Sequence, residues 1–326
     1  MDRSSSLCPK RLFGLCVCLL LVAGCQSSGG EESADSSASQ SDVKSTFSGS
    51  YPIGVVCTTG MVADVVRNVG GEHVDVTQLM GEGVDPHLFK PTPGDVSLLS
   101  GADVTFYSGL HLEGHLADVF SRMQSKKPTH AVTKQIDPAH LIQVEGELHD
   151  PHVWFDVSIW SEGIGLVAEV LSEFDPSHQD DYAAAADEYR AKLQTLDTEC
   201  RERLAKIPEK QRVLVTAHDA FQYFGRAYGI EVRAIQGVST ESEAGLREMN
   251  ELIGFIVENR IKAVFVETSV SDANIEALIA GCKAEGHTVE KGAALFSDAM
   301  GAEGTREGTY EGMIRHNVEA ISKALR

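Results

Sequence analysis

An α/β chain of two lobes is predicted from three features of the sequence. From Tyr51 onward, short β-branched runs alternate with amphipathic stretches, the candidate strands fall into two sets of about four, and one long polar segment without Gly or Pro separates the sets. Strand and helix alternating at this spacing is the pattern of parallel strands joined by helical crossovers. A folded body of roughly 275 residues also suits two domains. The expected architecture is two lobes, each a roughly four-stranded, mainly parallel sheet flanked by helices, joined by one connecting helix.

The elements follow in order. Residues 1–24 read as a signal peptide: Arg3, Lys10 and Arg11, then the apolar run Leu12 to Ala23, then Val22-Ala23-Gly24 ahead of Cys25. The run is shorter than the ~20 apolar residues a spanning helix needs, and small residues before a cleavage point mark secretion. Cys25 in this setting resembles the lipid-modified cysteine of bacterial lipoproteins, which makes it the expected anchor; the alternative is an ordinary signal peptide with an incidental cysteine. Residues 25–50, dominated by Ser with Gly and scattered acids, hold too little apolar surface to fold and are expected to be a flexible tether.

The first lobe is expected over 51–176, with strands at Ile53 to Cys57, Val74 to Leu79, Val104 to Tyr107 and Ala131 to Thr133. Over 177–207, Tyr182, Ala185, Tyr189, Leu193, Leu196 and Leu204 recur at helical spacing in a charged background. That is one long connecting helix running along the outside of both lobes; a hairpin broken near Thr198 is the alternative. The second lobe, 208–326, offers strands at Val213 to Thr216, Val232 to Ile235, Ala263 to Val266 and Thr288 to Glu290. Helices are expected at Glu241 to Asn259, Asp272 to Glu285 and Glu307 to Leu325, with Ser271 and Asp272 as cap oxygens for the second.

A formal charge of −20 excludes a nucleic-acid binder and a surface that adheres to anionic lipid. Of the seven cysteines, Cys57, Cys200 and Cys282 belong to the body, and no Cys-x-x-Cys pair is present. Cysteine is therefore not expected to hold a metal. Buried thiols are the default, and one disulfide among the three is the alternative.

Histidine carries the chemistry. Asp-Pro-His occurs at Asp85-Pro86-His87 and again at Asp150-Pro151-His152. Proline fixes its own φ and pushes the preceding residue towards extended geometry, so each imidazole leaves a stiff turn. His218 directly follows a predicted strand, at the carboxyl end where ligands of open α/β sheets bind. Asp298 lies in an irregular segment of the second lobe. Three imidazoles and one carboxylate are a full set for zinc and acceptable to manganese, and drawing two from each lobe puts the site between them. A rival pair is His111 and His115, four residues apart and thus on one face of a helix, although Gly114 weakens that helix and the metalloprotease pattern is absent. His73, His130, His140, His149, His178, His287 and His316 stand in no distinguishing context.

Gly83-Val84-Asp85-Pro86-His87, Gly109-Leu110-His111-Leu112-Glu113, Asp150-Pro151-His152-Val153-Trp154 and Ala217-His218-Asp219-Ala220-Phe221 resemble the motifs of the metal-binding lipoproteins of ABC importers, the TroA-like group. So do Gly237-Val238-Ser239-Thr240, Phe265-Val266-Glu267-Thr268-Ser269 and Leu295-Phe296-Ser297-Asp298-Ala299-Met300-Gly301. The likeness runs in order from Ile53 to Leu325. It implies an extracytoplasmic subunit, in the periplasm or at the cell surface, that is not an enzyme. Such a subunit captures Zn2+ or Mn2+ as cargo on His87, His152, His218 and Asp298 and passes it to a permease. It also implies a monomer tethered through Cys25 and an ATPase on a separate chain, consistent with the lack of a phosphate-binding Gly-x-x-x-x-Gly-Lys-Ser/Thr loop. His111, Glu113 and Glu267 match motif positions that are not ligands, with hydrogen-bonding support as the implied role.

Two departures bear on the ion. The histidine-rich loop frequent in dedicated zinc importers is missing from Met123 to Asp150, and manganese members tend to have Glu where this chain has His218. Two other readings use the same residues: a secreted metallohydrolase with a three-His, one-Asp zinc site, and a metal-stabilised surface adhesin.

Overall fold

The computed structural model describes residues 46–144, 146 and 148–326. The segments expected to be signal peptide and tether, Cys25 included, lie outside the described residues up to residue 45. The folded body begins earlier than position 51: Phe47 donates its N–H to Phe174 O at 2.6 Å and packs its ring 5.6 Å from Phe174.

In the first lobe β1 (Ile53–Cys57), β2 (Val74–Gln78), β3 (Val104–Tyr107) and β4 (Thr129–Ala131) form one parallel sheet in the order β2-β1-β3-β4. Val55 sits opposite both Val76 and Val104. β1 is buried along nearly its whole length, as a central parallel strand covered on both faces must be, whereas edge strand β2 alternates half-buried and exposed residues. β4 lies two residues before its expected place because Val132–Gln135 turns into a short 3-10 helix. The accompanying helices are α1 (Gly60–Gly70), α2 (Pro93–Gly101), α3 (Ala117–Gln124), α4 (Val157–Trp160) and α5 (Gly163–Phe174). Thr59 caps α1 through the N–H of Val62, and Thr92 with Asp95 forms a reciprocal capping box on α2.

The connecting helix α6 (Gln179–Leu204) is continuous for 26 residues, so the break near Thr198 does not occur. Its buried stripe is Tyr182, Ala186, Tyr189, Leu193, Leu196, Cys200 and Leu204; Ala186 takes the place expected of Ala185. Tyr189 donates to Asp64 of α1 at 2.5 Å.

The second lobe contains α7 (Gln222–Tyr228), α8 (Leu246–Asn259), α9 (Ala273–Ala284) and α10 (Tyr310–Ala324) around two parallel pairs, β5 (Val213–His218) with β6 (Glu231–Gln236) and β7 (Ala263–Val264) with β8 (Glu290–Lys291). Phe265 N–H to Val215 O, 2.8 Å, links the pairs. Beyond it the N–H groups of Ala217 and His218 go to the Glu267 carboxylate at 2.8 and 2.9 Å. A side chain thus replaces the backbone ladder, and the four strands do not form one continuous sheet. α8 starts five residues later than expected, since the segment before it reaches over the cleft and Thr240 bonds across to Asp85. Asp272 pairs with Lys291 at 3.0 Å instead of capping α9, while Ser271 accepts the Ala273 N–H at 3.4 Å.

The two lobes share a core. α10 packs along α6, with Arg315 3.0 Å from Glu199 and Arg203 3.2 Å from Glu319, and Tyr310 at its start reaches the first lobe through Asp64 (3.2 Å) and Trp154 O (2.6 Å). One hydrophobic cluster runs through β1, α1, α5, α6 and α10. Cys57, Cys200 and Cys282 are buried free thiols, so the disulfide alternative falls.

Candidate metal centre

Both Asp-Pro-His tripeptides close the same turn. The Asp side chain accepts the N–H of the His two residues on, Asp85 at 2.8 Å and Asp150 at 2.9 Å, which sets the direction in which each imidazole leaves the chain. His218 is the last residue of β5, at the sheet's carboxyl edge. Asp298 sits in the loop between β8 and α10, which is fixed on three sides. Asn317 pairs with Phe296 N and O at 3.0 and 2.7 Å, Trp154 Nε1 donates to Ser297 O at 3.1 Å, and Ser297 Oγ meets Ser269 Oγ at 2.8 Å.

These four side chains converge, one ligand atom from each lying within 4.8 Å of the others. His87 Nε2 is 3.4 Å from His152 Nε2, and Asp298 places one oxygen 3.2 Å from His152 Nε2 and the other 3.2 Å from His218 Nε2. His152, His218 and Asp298 are at most 1% exposed; His87 at 5% is the most open of the four. His218 Nε2 and both Asp298 oxygens are buried without a hydrogen bond although they are close together. Buried polar atoms left unpaired are costly. Atoms that crowd without hydrogen-bond geometry are arranged around a common point, as the donors of a metal site are.

The remaining ring nitrogens are held from behind. His152 Nδ1 lies 2.7 Å from Asp150 and His218 Nδ1 2.5 Å from Glu267. A carboxylate on Nδ1 fixes the tautomer that turns the Nε2 lone pair towards the centre. Charge differs among the imidazoles. Burial alone lowers His152, but Asp150 and Asp298 overcome it and raise it to about 9; Glu267 and Asp298 likewise raise His218 against its burial. Among the described residues no carboxylate bonds the His87 ring, and burial brings it down to about 4. Burial opposes the charged form of Asp298, yet the flanking His218 and His152 hold it well below the usual carboxylate range.

Of the residues expected to give support, Glu267 touches a converging histidine. Glu113 is buried and organises the loop after β3, accepting from Thr58 Oγ1 (2.6 Å), Ser108 N (2.7 Å) and Gly109 N (3.2 Å). His111, at φ +67°, lines with His87, His149 and Asp219 an opening of about 560 Å3 at the mouth of the site. The rival pair separates, since His115 turns to Glu241 at 3.3 Å. Sequence reasoning missed Asp85, Asp150 and Trp154 as parts of the site. The signal for the two acids was present, because Asp stands two residues before each paired histidine.

Comparison with known proteins gives the family. Residues 55–324 match the family described as zinc-uptake complex component A, periplasmic. The chain belongs to this family. It is 50% identical over 273 residues, 83% of this chain and 89% of the relative, to the manganese-binding lipoprotein MntA of Bacillus subtilis. To the zinc-binding protein TroA of Treponema pallidum it is 45% identical over 271 residues, 83% of this chain and 88% of the relative. A solved structure of the periplasmic zinc-binding TroA of Treponema pallidum superposes with a TM-score of 0.83 at 45% identity, covering 84% of this chain and 99% of that one. One of these relatives is named for manganese and the other for zinc, so likeness by itself does not choose the ion.

Proposed function

We propose that this chain is the extracytoplasmic binding subunit of an ABC importer for zinc or manganese. It captures the ion between its lobes on His87, His152, His218 and Asp298 and delivers it to a permease driven by a separate ATPase chain. The observation that carries the reading is the buried convergence of three imidazoles and one carboxylate with unpaired Asp298 oxygens. Family membership supports the class of cargo. A hydrolytic zinc keeps a position open to water and substrate; four protein groups buried together suit capture better, so the metallohydrolase stands behind the importer subunit, while a metal-stabilised adhesin would share the same ligands and is separated from it by a partner-binding assay. Cys25, outside the described residues, is the proposed lipid anchor, and the protein is proposed to act as a monomer.

Metal analysis of protein purified from its own host, followed by zinc and manganese competition, tests this reading. One divalent ion per interlobe site is expected. Full-length protein that binds neither ion would refute it. Cys25→Ala should abolish labelling by radioactive palmitate while metal binding survives; equal labelling would place the anchor elsewhere.

A further inference from the structure

A second group of metal-ligating side chains stands at the start of α6, built from parts the interlobe site does not use. His73 ends the short helix 71–73 that leads into β2, His178 immediately precedes α6, and Asp181 lies in its first turn. One ligand atom from each falls within 4.8 Å of the others. The His73 and His178 rings stack with centroids 3.9 Å apart and planes 24° apart, and His73 Nε2 is 3.2 Å from Asp181 Oδ2. Two ligands of a tetrahedral zinc stand about 3.3 Å apart, so this last separation already suits a shared ion.

His178 is prepared in the same manner as the interlobe histidines. Its Nδ1 lies 2.7 Å from Asp175 Oδ2, and the nearly buried Asp175 is itself fixed by Tyr51 OH at 2.7 Å and Tyr182 OH at 2.9 Å. With Nδ1–H donating to Asp175, Nε2 is the nitrogen left for an ion. Asp150 does this for His152 and Glu267 for His218. The positive end of α6 opposes a bound cation, and Asp180 and Asp181 in the first turn counter it.

We propose that His73, His178 and Asp181 form a second, solvent-facing site for a borderline divalent ion, zinc or copper(II), with water completing the shell. Two imidazoles select against magnesium and calcium and leave manganese weak. A bound ion would tie the turn before β2 to the start of α6.

The test is equilibrium dialysis of the full-length chain against micromolar zinc chloride. Two ions per wild-type chain are expected, and one in Asp181→Asn and in His73→Gln, with unchanged circular dichroism. A wild-type plateau at one ion, or a second ion that survives both substitutions, would overturn the proposal. In the His87→Ala/His152→Ala chain one zinc should remain, and adding His73→Gln should remove it. That result separates the second site from the fate of the interlobe one. Copper(II) on the same double variant should show nitrogen hyperfine coupling from two imidazoles, and a copper spectrum without nitrogen coupling would count against the assignment.

Discussion

The two Asp-Pro-His turns have the same sequence and the same backbone closure, and yet they prepare their histidines in opposite ways. In the first, Asp85 uses its second oxygen to accept Thr240 Oγ1 from the other lobe at 2.6 Å, and the His87 ring is governed chiefly by burial, which outweighs the pull of Asp298. In the second, a single oxygen of Asp150 takes both the backbone N–H and the ring Nδ1 of His152 and, together with Asp298, raises that imidazole against its burial. A local motif therefore fixes where a side chain points, while its protonation is set by what the rest of the fold places behind it. The first turn is thus tied to the other lobe across the cleft, and the second to the ring of its own histidine.

The strongest way to break this comparison is to delete the rings. His152→Ala and His218→Ala should each weaken zinc binding by more than ~100-fold, and His87→Ala should also lose stoichiometric binding, because each removes one of a small set of first bonds to the ion. Wild-type affinity in all three, measured by competition with a chelating dye, would show that the cluster is not the site.

The acids sharpen it. Asp150→Asn should cost roughly 10–100-fold in affinity, the usual effect of losing the partner behind a ligating imidazole. Asp85→Asn should cost less than about 10-fold on the same scale and act mainly by speeding metal release, since Asp85 does not touch a ring. Equal losses in the two would mean that both acids act through the turn alone.

Asp298→Ala probes the side of the site that both turns face. Manganese favours oxygen ligands, whereas zinc can remain on three imidazoles and water, so titration should show a larger loss for manganese than for zinc. A larger loss for zinc would mean that the cleft, and not this carboxylate, sets the choice.

pH gives a smaller, graded effect. His152 (about 9) and His218 are raised, so at pH 7 an incoming divalent ion must displace their protons, and affinity should rise with pH until it passes about 9. His87, near 4, adds no dependence above about pH 5. Calorimetry in buffers of different ionisation enthalpy should register proton release at pH 7, and a heat independent of buffer would contradict the raised values of His152 and His218. In the metal-free protein the signs differ. The raised His152 contributes stability that is present below the unfolded value near 6.5 and is lost as pH rises through about 9, while the lowered His87 costs stability as pH falls from 6.5 towards 4.

Much of this was legible in the chain. Strands β1 and β3 lie where β-branched runs and turn residues place them, and α6 follows from helical spacing without Gly or Pro. The repeated tripeptide points to His87 and His152 directly. Asp298 is a weak candidate from its residue type alone and is raised by family likeness, because an Asp in a loop carries no local mark of its partners. Three features depended on long-range contacts that no local pattern encodes. These are the break between β5 and β7 where Glu267 intervenes, the late start of α8 over the cleft, and the convergence of His73 with His178 from segments more than a hundred positions apart. Sequence spacing finds residues that share one turn or one helix face, and it cannot find those that meet by packing.

Trp154 offers a practical consequence. Its indole donates to the carbonyl beside Asp298 while its ring lies 5.2 Å from His152, so one side chain spans the seam between the lobes at the level of the ion. The chain has two tryptophans. With Trp160→Phe the protein would carry a single native emitter at that seam, and loading and release of the cargo could be followed in real time by its fluorescence without any attached dye.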